Sequence, residues 1–263
     1  ACLVGSEMCI RDRGIPMKKI LKILFIGIFA MSISTGCVDK YKDTKKEVEN
    51  NILEDNSQDI SKKWISAEDI DSIKLNNMKN NVKVYYHNDD KILIKGNLKD
   101  KYQFNTENNI LDITSKVEET SDYWITVYLP RKEYKSILIE NKDASTKVFD
   151  MNVENLIINS NDEIVVDSVE VVNLNLYTED KKVVITKDNI DKAVIETKNN
   201  TNIIVDETKV TSMHMTTDNG NIYARINGDK NDYQVNYGEN TTKTQEKQIT
   251  AISNTGQVEV KFM

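Results

Sequence analysis

The sequence predicts an all-β fold, a single elongated β-solenoid (β-helix-like) of stacked coils of about 19 residues. Short apolar segments recur every 17 to 20 residues between residues 136 and 262. Apolar and polar residues alternate within them, as in Met213-His214-Met215, which is the pattern of a strand with one buried face. Polar turns separate the segments at matching places, and a fixed period with two strands per unit is typical of stacked repeats.

The repeat contains two kinds of strand. The first kind ends on an apolar anchor residue, and the seven anchors are Ile139, Ile158, Leu176, Ile195, Met215, Val235 and Ile252. Most anchors are followed by a polar turn and a second apolar run, such as Val183-Val184-Ile185. One coil alone cannot bury its apolar face, so neighbouring coils are expected to share a core. Glycine and asparagine in the turns, as in Asn219-Gly220, are expected to adopt the positive φ that tight turns often need.

Two of the repeats carry a family resemblance. Met215-Thr-Thr-Asp-Asn-Gly220-Asn-Ile222 and Ile252-Ser-Asn-Thr-Gly256-Gln-Val258 resemble the apolar-x-(Thr/Ser)-x-x-Gly-x-Ile unit of the bacterial "putative adhesin" domain family. Tyr123-Trp-Ile-Thr-Val-Tyr-Leu-Pro130 resembles the strand that precedes the repeats in that family. The resemblance covers residues 64–262, although the other repeats have Asn, Asp, Lys or Glu where the unit has glycine. It implies an all-β, non-enzymatic protein of the cell envelope, and it implies no site residues.

The start of the chain is predicted to be a targeting segment. Residues 1–16 resemble translated sequencing-adapter read-through and are excluded from fold reasoning, the alternative being a genuine short extension. Residues 17–36 have the parts of a lipoprotein signal peptide, with Lys18, Lys19 and Lys22 ahead of an apolar run at residues 23–33. That run is too short for a membrane span, which needs ~20 residues.

A lipid anchor is predicted at Cys37. Ser34-Thr35-Gly36-Cys37 resembles a bacterial lipobox, in which the cysteine thiol takes a diacylglycerol and the chain is cut before it. The predicted location is therefore the extracytoplasmic face of the cell membrane, with the membrane as partner through the lipid on Cys37. The alternative is an ordinary cleaved signal and release. The two other cysteines, Cys2 and Cys9, precede the signal, so the exported part is expected to form no disulfide and no thiolate metal site.

Two further regions complete the domain prediction. Residues 37–63 are rich in Lys, Asp, Glu and Asn, a composition typical of a flexible tether. Residues 64–263 are predicted to form the adhesin-like domain, in which β-hairpins cap the solenoid. One hairpin is expected to pair residues 82–86 with residues 92–94, and a second to pair residues 102–104 with residues 110–113.

The sequence offers little chemistry. A formal charge of −7 argues against nucleic acid as a partner. Neither nucleophile elbows nor zinc, Walker or dinucleotide motifs occur, so no catalytic residue, metal site or cofactor is predicted. His87 and His214 are expected to be solvent-facing strand residues. The pairs Asp162-Glu163 and Glu179-Asp180 are expected to be solvated at turns, and Asp218-Asn219-Gly220 lacks the spaced oxygen ligands of a calcium loop.

Four aromatic residues remain as a candidate surface. Trp64, Tyr123, Trp124 and Tyr128 are expected to pack in the core or at the end of the coil. The alternative is that they form a glycan-binding platform on one strand face.

Three classes of function fit these features. The predicted class is a membrane-anchored, non-enzymatic module for binding or surface structure, with an unknown protein or cell-wall glycan as its partner. The second is an envelope stress or signalling component that acts on a membrane partner. The third, an enzyme that cleaves acidic polysaccharides, is disfavoured because such enzymes cluster Asp, Lys and Arg on one sheet, and after Arg13 only Arg131 and Arg225 remain.

Overall fold

The computed structural model describes residues 61–119, 121–238 and 245–263, which fall in one compact unit, Asp59–Met263. The predicted signal, Cys37 and residues 37–60 of the predicted tether lie outside the described residues, whereas residues 61–63, also predicted as tether, belong to the first strand. The described part is all-β, with one 3-10 helix at Lys230–Asp232 and these strands: β1 Ser61–Ser66, β2 Ser72–Met78, β3 Asn80–His87, β4 Lys91–Gly96, β5 Tyr102–Glu107, β6 Ile110–Ser115, β7 Ser121–Pro130, β8 Tyr134–Asn141, β9 Thr146–Phe149, β10 Asn152–Ser160, β11 Ile164–Asp167, β12 Glu170–Thr178, β13 Val183–Thr186, β14 Asn189–Thr197, β15 Ile203–Thr217, β16 Ile222–Ile226, β17 Tyr233–Asn236, β18 Lys247–Ser253 and β19 Val258–Phe262. None of these residues belongs to a helix long and apolar enough to cross a membrane.

The strands form one large mixed sheet that contains two ladders. Ladder A runs β1-β4-β7-β3-β9-β11-β13-β15-β16-β19. Ladder B runs β5-β6-β2-β8-β10-β12-β14-β15-β18-β17. The long strand β15 belongs to both, because its first half pairs in ladder A and its second half in ladder B. Only the pairs β1–β4, β4–β7 and β5–β6 are antiparallel among the pairings of the described strands.

The predicted period is the register of the parallel pairs. In ladder B the anchor Ile158 pairs with Leu176, Leu176 with Ile195, and Ile195 with Met215. In ladder A the second apolar runs pair in the same way, Val166 with Ile185 for example. The all-β prediction and the register of these anchors are confirmed. Apolar residues at equivalent positions meet because a shift by one residue would turn each strand's buried face towards solvent.

The prediction for the last coils is partly wrong. Val235 and Ile252 are the predicted anchors after Met215, but Met215 pairs directly with buried Ala251 of β18, and Ile252 lies opposite Thr216 instead. The four-residue strand β17, which contains Val235, pairs instead with the other edge of β18. Strand β17 therefore does not form the next strand of the repeat after β15, a place that β18 takes. The reason is local packing, since the buried ring of Tyr233 lies 5.0 Å from that of Phe262 and its hydroxyl donates to the Val210 carbonyl at 2.7 Å.

The predicted N-terminal hairpins have a mixed outcome. The hairpin of β5 and β6 is confirmed. The hairpin of β3 and β4 is wrong, because β7 lies between them, parallel to β3 and antiparallel to β4. Strands β2 and β3 instead pair in parallel with β8 and β9, so the repeat begins earlier in the chain than its sequence period indicates. Pairing on both sides satisfies more backbone groups of β3 than a two-stranded hairpin could.

The core is one cluster of apolar side chains contributed by both ladders. Alternate residues along most of the long repeat strands are buried, such as Leu156 and Ile158 on β10 and Leu174 and Leu176 on β12, whereas all four residues of the short strand β11 are buried. Strand geometry produces this result, because successive side chains point to opposite faces. The residues between them face outwards, and these outward positions form the candidate surface described below.

The two corners of each coil differ in backbone conformation. At the corner after β9, β11, β13 and the ladder-A half of β15, one residue has positive φ, and none of the four is glycine: Asp150, Ser168, Lys187 and Glu207. At the other corner, Asn199 has the predicted positive φ of 54°. Gly220 and Gly256, however, do not have left-handed φ, so that prediction is wrong for them. They are glycines for lack of space, because a Cβ on Gly220 would lie 1.8 Å from the carbonyl oxygen of Thr201.

A column of buried hydroxyl groups holds these close turns. Thr217 Oγ1 donates to the Thr201 carbonyl at 2.9 Å and accepts the amide N–H of Gly220 at 3.2 Å. One coil later, Ser253 Oγ donates to the Gly220 carbonyl at 2.7 Å and accepts the Gly256 amide at 2.9 Å. This arrangement explains the Thr/Ser-x-x-Gly spacing, since the hydroxyl satisfies backbone groups that would otherwise be buried without partners.

Candidate binding face

The candidate site lies on the outward side of ladder A, on strands β1, β4, β7, β3 and β9. Three strands there carry the same triplet: Lys83-Val84-Tyr85, Thr126-Val127-Tyr128 and Lys147-Val148-Phe149. The central valines are fully buried, so the flanking residues must point outwards. The register aligns them, because Tyr85 pairs with both Tyr128 and Phe149, and Lys83 pairs with both Thr126 and Lys147.

The aromatic side chains form a continuous series, which we call the ring row: Trp64, His87, Tyr128, Tyr85 and Phe149. Successive ring centroids are 6.4, 6.0, 5.9 and 4.9 Å apart. Leu93 lies between Trp64 and Tyr128 in register. Stacking at these distances stabilises aromatic pairs beyond their buried area. The row runs across the strands, and its outer end is open, since Trp64 is 49% exposed.

Beside the ring row lies a second line of outward residues, the lysine row: Lys62, Lys95, Lys83 and Lys147. Lys62 pairs in register with Lys95, and Lys83 with Lys147, while Thr126 of β7 separates the two pairs. Lys95 Nζ lies 4.8 Å from the centroid of Tyr128. The ammonium groups of Lys83 and Lys147 lie 4.1 and 5.5 Å from the ring centroid of Trp124. These cation–π contacts hold the positive charges on an aromatic surface.

The electrostatics of this face differ from those of the whole chain. Burial and, second, the charge of Lys62 lower the pKa of Lys95, while burial raises the pKa of Tyr128. Lys147 is partly neutralised by Glu163, whose Oε2 lies 3.5 Å from its Nζ. A chain with a net charge of −7 therefore presents a locally basic, aromatic surface.

The structure brings together three of the four predicted aromatic residues. Trp64 and Tyr128 belong to the ring row, and Trp124 lies beside it under the lysine row. Trp64 lies at the end of ladder A, on β1, and is half exposed rather than packed in the core. Tyr123 is 64% exposed and contacts Lys101 rather than the ring row. His87 joins the row, whereas His214 lies on ladder B, in register with Val194.

Sequence reasoning missed Tyr85, Phe149 and the lysines as parts of one site. The signal was present in the three triplets, in which lysine or threonine, valine and an aromatic residue recur in that order. A hairpin between residues 82–86 and residues 92–94, as the sequence predicts, would not align these triplets. Only the parallel pairing of β3 with both β7 and β9 aligns the triplets.

The predicted turn carboxylates lie at turns and have partners. Glu163 Oε1 lies 3.1 Å from Lys182 Nζ, and Asp162 accepts hydrogen bonds from Ser145 Oγ and the Glu163 amide. Glu179 accepts a hydrogen bond from the hydroxyl of Tyr177, and Asp180 accepts one from Nδ2 of Asn199. An open groove of about 480 Å³ lies along these turns. Across residues 61–119, 121–238 and 245–263, no group of three or more His, Cys, Asp or Glu side chains could hold a metal ion.

One carboxyl group is strongly perturbed, and it lies away from the ring row. Asp188 occupies the buried corner position that holds Met151, Val169 and Thr208 in other coils. Desolvation raises its pKa well above the ordinary value, and the nearby charge of Asp167 adds to the rise. The Val169 amide donates to its Oδ1 at 2.5 Å, while Oδ2 is buried without a hydrogen-bond partner. Its counterparts in other coils indicate a structural position rather than a catalytic one.

We expect Asp188→Asn to raise the melting temperature at pH 7 and to flatten its dependence on pH. Because the pKa is higher in the folded protein, stability is greatest below the unfolded-state pKa and is lost as pH rises through the folded-state pKa. Asparagine keeps an acceptor for the Val169 amide without a charge. Thermal unfolding of the full chain between pH 4 and pH 8 measures the effect, with the exposed Asp191→Asn as control. A lower melting temperature for Asp188→Asn at pH 7 would contradict this account.

Comparison with known proteins identifies the fold. No family model and no curated protein matches the sequence. Among solved structures, a putative adhesin from Bacteroides fragilis is 16% identical, with a TM-score of 0.52, and the match covers 79% of this chain and 98% of that one. A putative adhesin from Parabacteroides distasonis is 16% identical, with a TM-score of 0.42, and the match covers 78% of this chain and 94% of that one. A putative adhesin from Parabacteroides merdae is 15% identical, with a TM-score of 0.40, and the match covers 78% of this chain and 97% of that one. The resemblance predicted from the sequence is thus confirmed at the level of the fold, which this chain shares with the Bacteroides fragilis putative adhesin.

Proposed function

We propose that this chain is a non-enzymatic, adhesin-like binding module displayed on the extracytoplasmic face of the cell membrane. The observation that carries the proposal is the ring row with its adjoining lysines. These side chains face outwards on five adjacent strands, from half-exposed Trp64 at one end to buried Phe149 at the other, and a surface that gathers aromatic side chains is typical of a contact surface. A strand face without a binding role would only have to keep the protein soluble, and we would expect it to carry isolated polar side chains.

We also propose that the domain is a β-solenoid, as its sequence period predicts. The support is that hydrogen bonds between equivalent residues of successive coils connect positions 18, 19 and 20 residues apart. Both ladders keep this register over consecutive parallel strands. Such a stack gives a long, straight flank, which suits display of a binding surface.

A non-enzymatic role is favoured by the distribution of the titratable groups. The two histidines lie on different ladders, and the most perturbed carboxyl group, Asp188, lies in a buried corner. A general acid and base must both reach one reacting group. These residues do not meet that requirement.

The proposed anchor is tested by Cys37→Ala. Without the thiol no lipid can be attached, so the full chain expressed in a lipoprotein-processing bacterium should lose labelled fatty acid and leave the membrane fraction. Cys9→Ala is the matched control and should keep both. If the Cys37→Ala chain stays in the membrane fraction, the proposed anchor is wrong.

The proposed binding role is tested with Trp64→Ala. We expect the full chain to bind isolated cell-wall fractions or extracellular matrix, and this variant to bind about tenfold more weakly, because a half-exposed aromatic anchor is lost. Tyr237→Ala removes a comparably exposed ring (62%) away from the ring row and should bind normally. If the wild-type chain binds neither surface but copurifies with one membrane protein, the signalling alternative replaces this proposal.

A further inference from the structure

We propose that the ring row and the lysine row together bind an anionic polysaccharide, with a sugar ring lying on the exposed side of Trp64, the polymer passing over the edges of the stacked rings, and carboxylates or sulfates paired with the lysines. This inference rests on the proposed binding function and names its ligand class. Four observations support it: the direction of the rows, the nature of the rings, the position of the charges and the chemistry that surrounds them.

The two rows run along the stack rather than along any strand. The ring row and Leu93 draw on β1, β4, β7, β3 and β9, which are consecutive in ladder A. Neighbouring strands lie ~4.8 Å apart, so the rows follow a line across about four such steps. A linear polymer with a short repeating unit can follow such a line and meet similar groups at each step. A folded protein would be expected to need a more varied contact surface.

The aromatic groups suit sugar rings. The electron-rich face of an aromatic ring attracts weakly positive C–H groups, which cover one face of many pyranose rings. Trp64, at the open end of the row, is half exposed, and Tyr85 and Tyr128 are partly exposed. A sugar lying on the exposed side of Trp64 would replace water on an apolar surface and would leave its hydroxyl groups in solvent. Tyr128 and Phe149 already cover the faces of Tyr85, so the polymer meets that ring at its edge.

The charges suit acidic groups spaced along the polymer. Lys62 and Lys95 are adjacent in register, Lys83 and Lys147 are adjacent, and Thr126 lies between the pairs. Burial and mutual repulsion already lower the pKa of Lys95. An anion between Lys62 and Lys95 would relieve that repulsion. Binding should therefore weaken at high salt.

The surrounding residues limit the site to this end of ladder A. On the strands beyond β9, the positions in register with the lysine row are occupied by apolar residues, namely Val165, Val184 and Ile204. The ring row ends at Phe149, because the residue in register with it on β11 is the buried Asp167 and not an aromatic residue. The basic aromatic surface is thus confined to five strands on a chain with an overall negative charge.

The experiment measures binding of the full chain to three polymers. Polygalacturonate is the probe, fully methyl-esterified polygalacturonate keeps the sugar rings without charge, and polyglutamate carries charge without sugar rings. We expect the chain to bind polygalacturonate at least tenfold more tightly than either of the others. Equal binding of polyglutamate would reduce the site to simple charge attraction, and equal binding of the ester would remove the role of the lysines; either result overturns the proposal.

Variants assign the binding to this face. Trp64→Ala and the double variant Lys62→Gln with Lys95→Gln should each weaken polygalacturonate binding by roughly three- to tenfold. The double variant Lys192→Gln with Lys209→Gln removes two exposed lysines from ladder B and should bind as wild type. Unchanged melting temperatures show that the variants fold. If the ladder-B variant loses as much binding as the ladder-A variant, the proposed site is wrong.

This test is separable from that of the binding role itself. A chain that binds cell-wall or matrix fractions in a Trp64-dependent way but not polygalacturonate keeps the proposed function and loses the ligand class. A chain that binds none of these surfaces loses both.

Discussion

Gly220→Ala is expected to destabilise the domain by more than about 3 kcal/mol, because it inserts a methyl group where two coils touch. The added Cβ would lie 1.8 Å from the carbonyl oxygen of Thr201 and 2.8 Å from Thr217 Oγ1. Neither atom can move freely, since Thr217 donates to that carbonyl at 2.9 Å and also accepts the Gly220 amide. The strands must separate locally, and both the hydrogen bonds and the register of β15 with β16 would be affected.

Urea unfolding of the full chain measures this loss, followed by the fluorescence of its two tryptophans. Gly256→Ala should behave in the same way, since its Cβ would lie 1.9 Å from the Gly220 carbonyl oxygen. Gly238→Ala is the matched control, because a Cβ there would have no neighbour within 4 Å. If Gly220→Ala and Gly238→Ala unfold at the same urea concentration, close approach of the coils is not the reason for glycine at residue 220.

Ile195→Ala is expected to cost about 2–5 kcal/mol, because it leaves a cavity in the shared core. Ile195 is fully buried in the middle of ladder B, where it pairs with Leu176 on one side and Met215 on the other. The strands on both sides are held by backbone hydrogen bonds, so they cannot collapse easily into the space. The loss should therefore fall towards the upper part of that range.

The preceding residue on the same strand provides the control. Val194 faces outwards and is 39% exposed, so Val194→Ala should change stability by no more than about 0.5 kcal/mol. Urea unfolding of both variants and of the wild-type chain gives the comparison. Equal losses for the two substitutions would contradict the assignment of inward and outward faces on β14.

The middle coils could be predicted from the sequence because their signal is local. Ile158, Leu176, Ile195 and Met215 recur at nearly constant spacing, and apolar residues alternate around them. Period and alternation together determine which residues meet in register. At the chain's last coils the same reasoning failed at Val235, because a short apolar strand at the expected spacing does not reveal that β18 pairs with β15 in its place.

The glycine turns illustrate a different limit. The Thr/Ser-x-x-Gly spacing was visible, yet its reason was assigned to backbone conformation. The structure shows that positive φ occurs mainly at the opposite corner, on Asp150, Ser168, Lys187 and Glu207. The distance between coils decides the glycine positions, and no local sequence rule reports that distance.

The candidate binding face could be predicted only in part. Trp64, Trp124 and Tyr128 were recognised as a group, but nothing in their sequence positions reveals that they share a face with Tyr85 and Phe149. Those residues come together because β7 inserts between β3 and β4 and β9 pairs with the other side of β3. Pairings between strands far apart in the chain are set by the whole fold.

The amino-acid sequence by itself determined the all-β class, the length of the repeat and the residues that form its core, because these follow from alternation and spacing within short segments. Only the tertiary structure decided the order of the N-terminal strands, the place of β17 and the alignment of rings and lysines across ladder A. The physical reason is that burial of apolar side chains acts on every strand in the same way, whereas the choice of partner strand depends on contacts between distant residues.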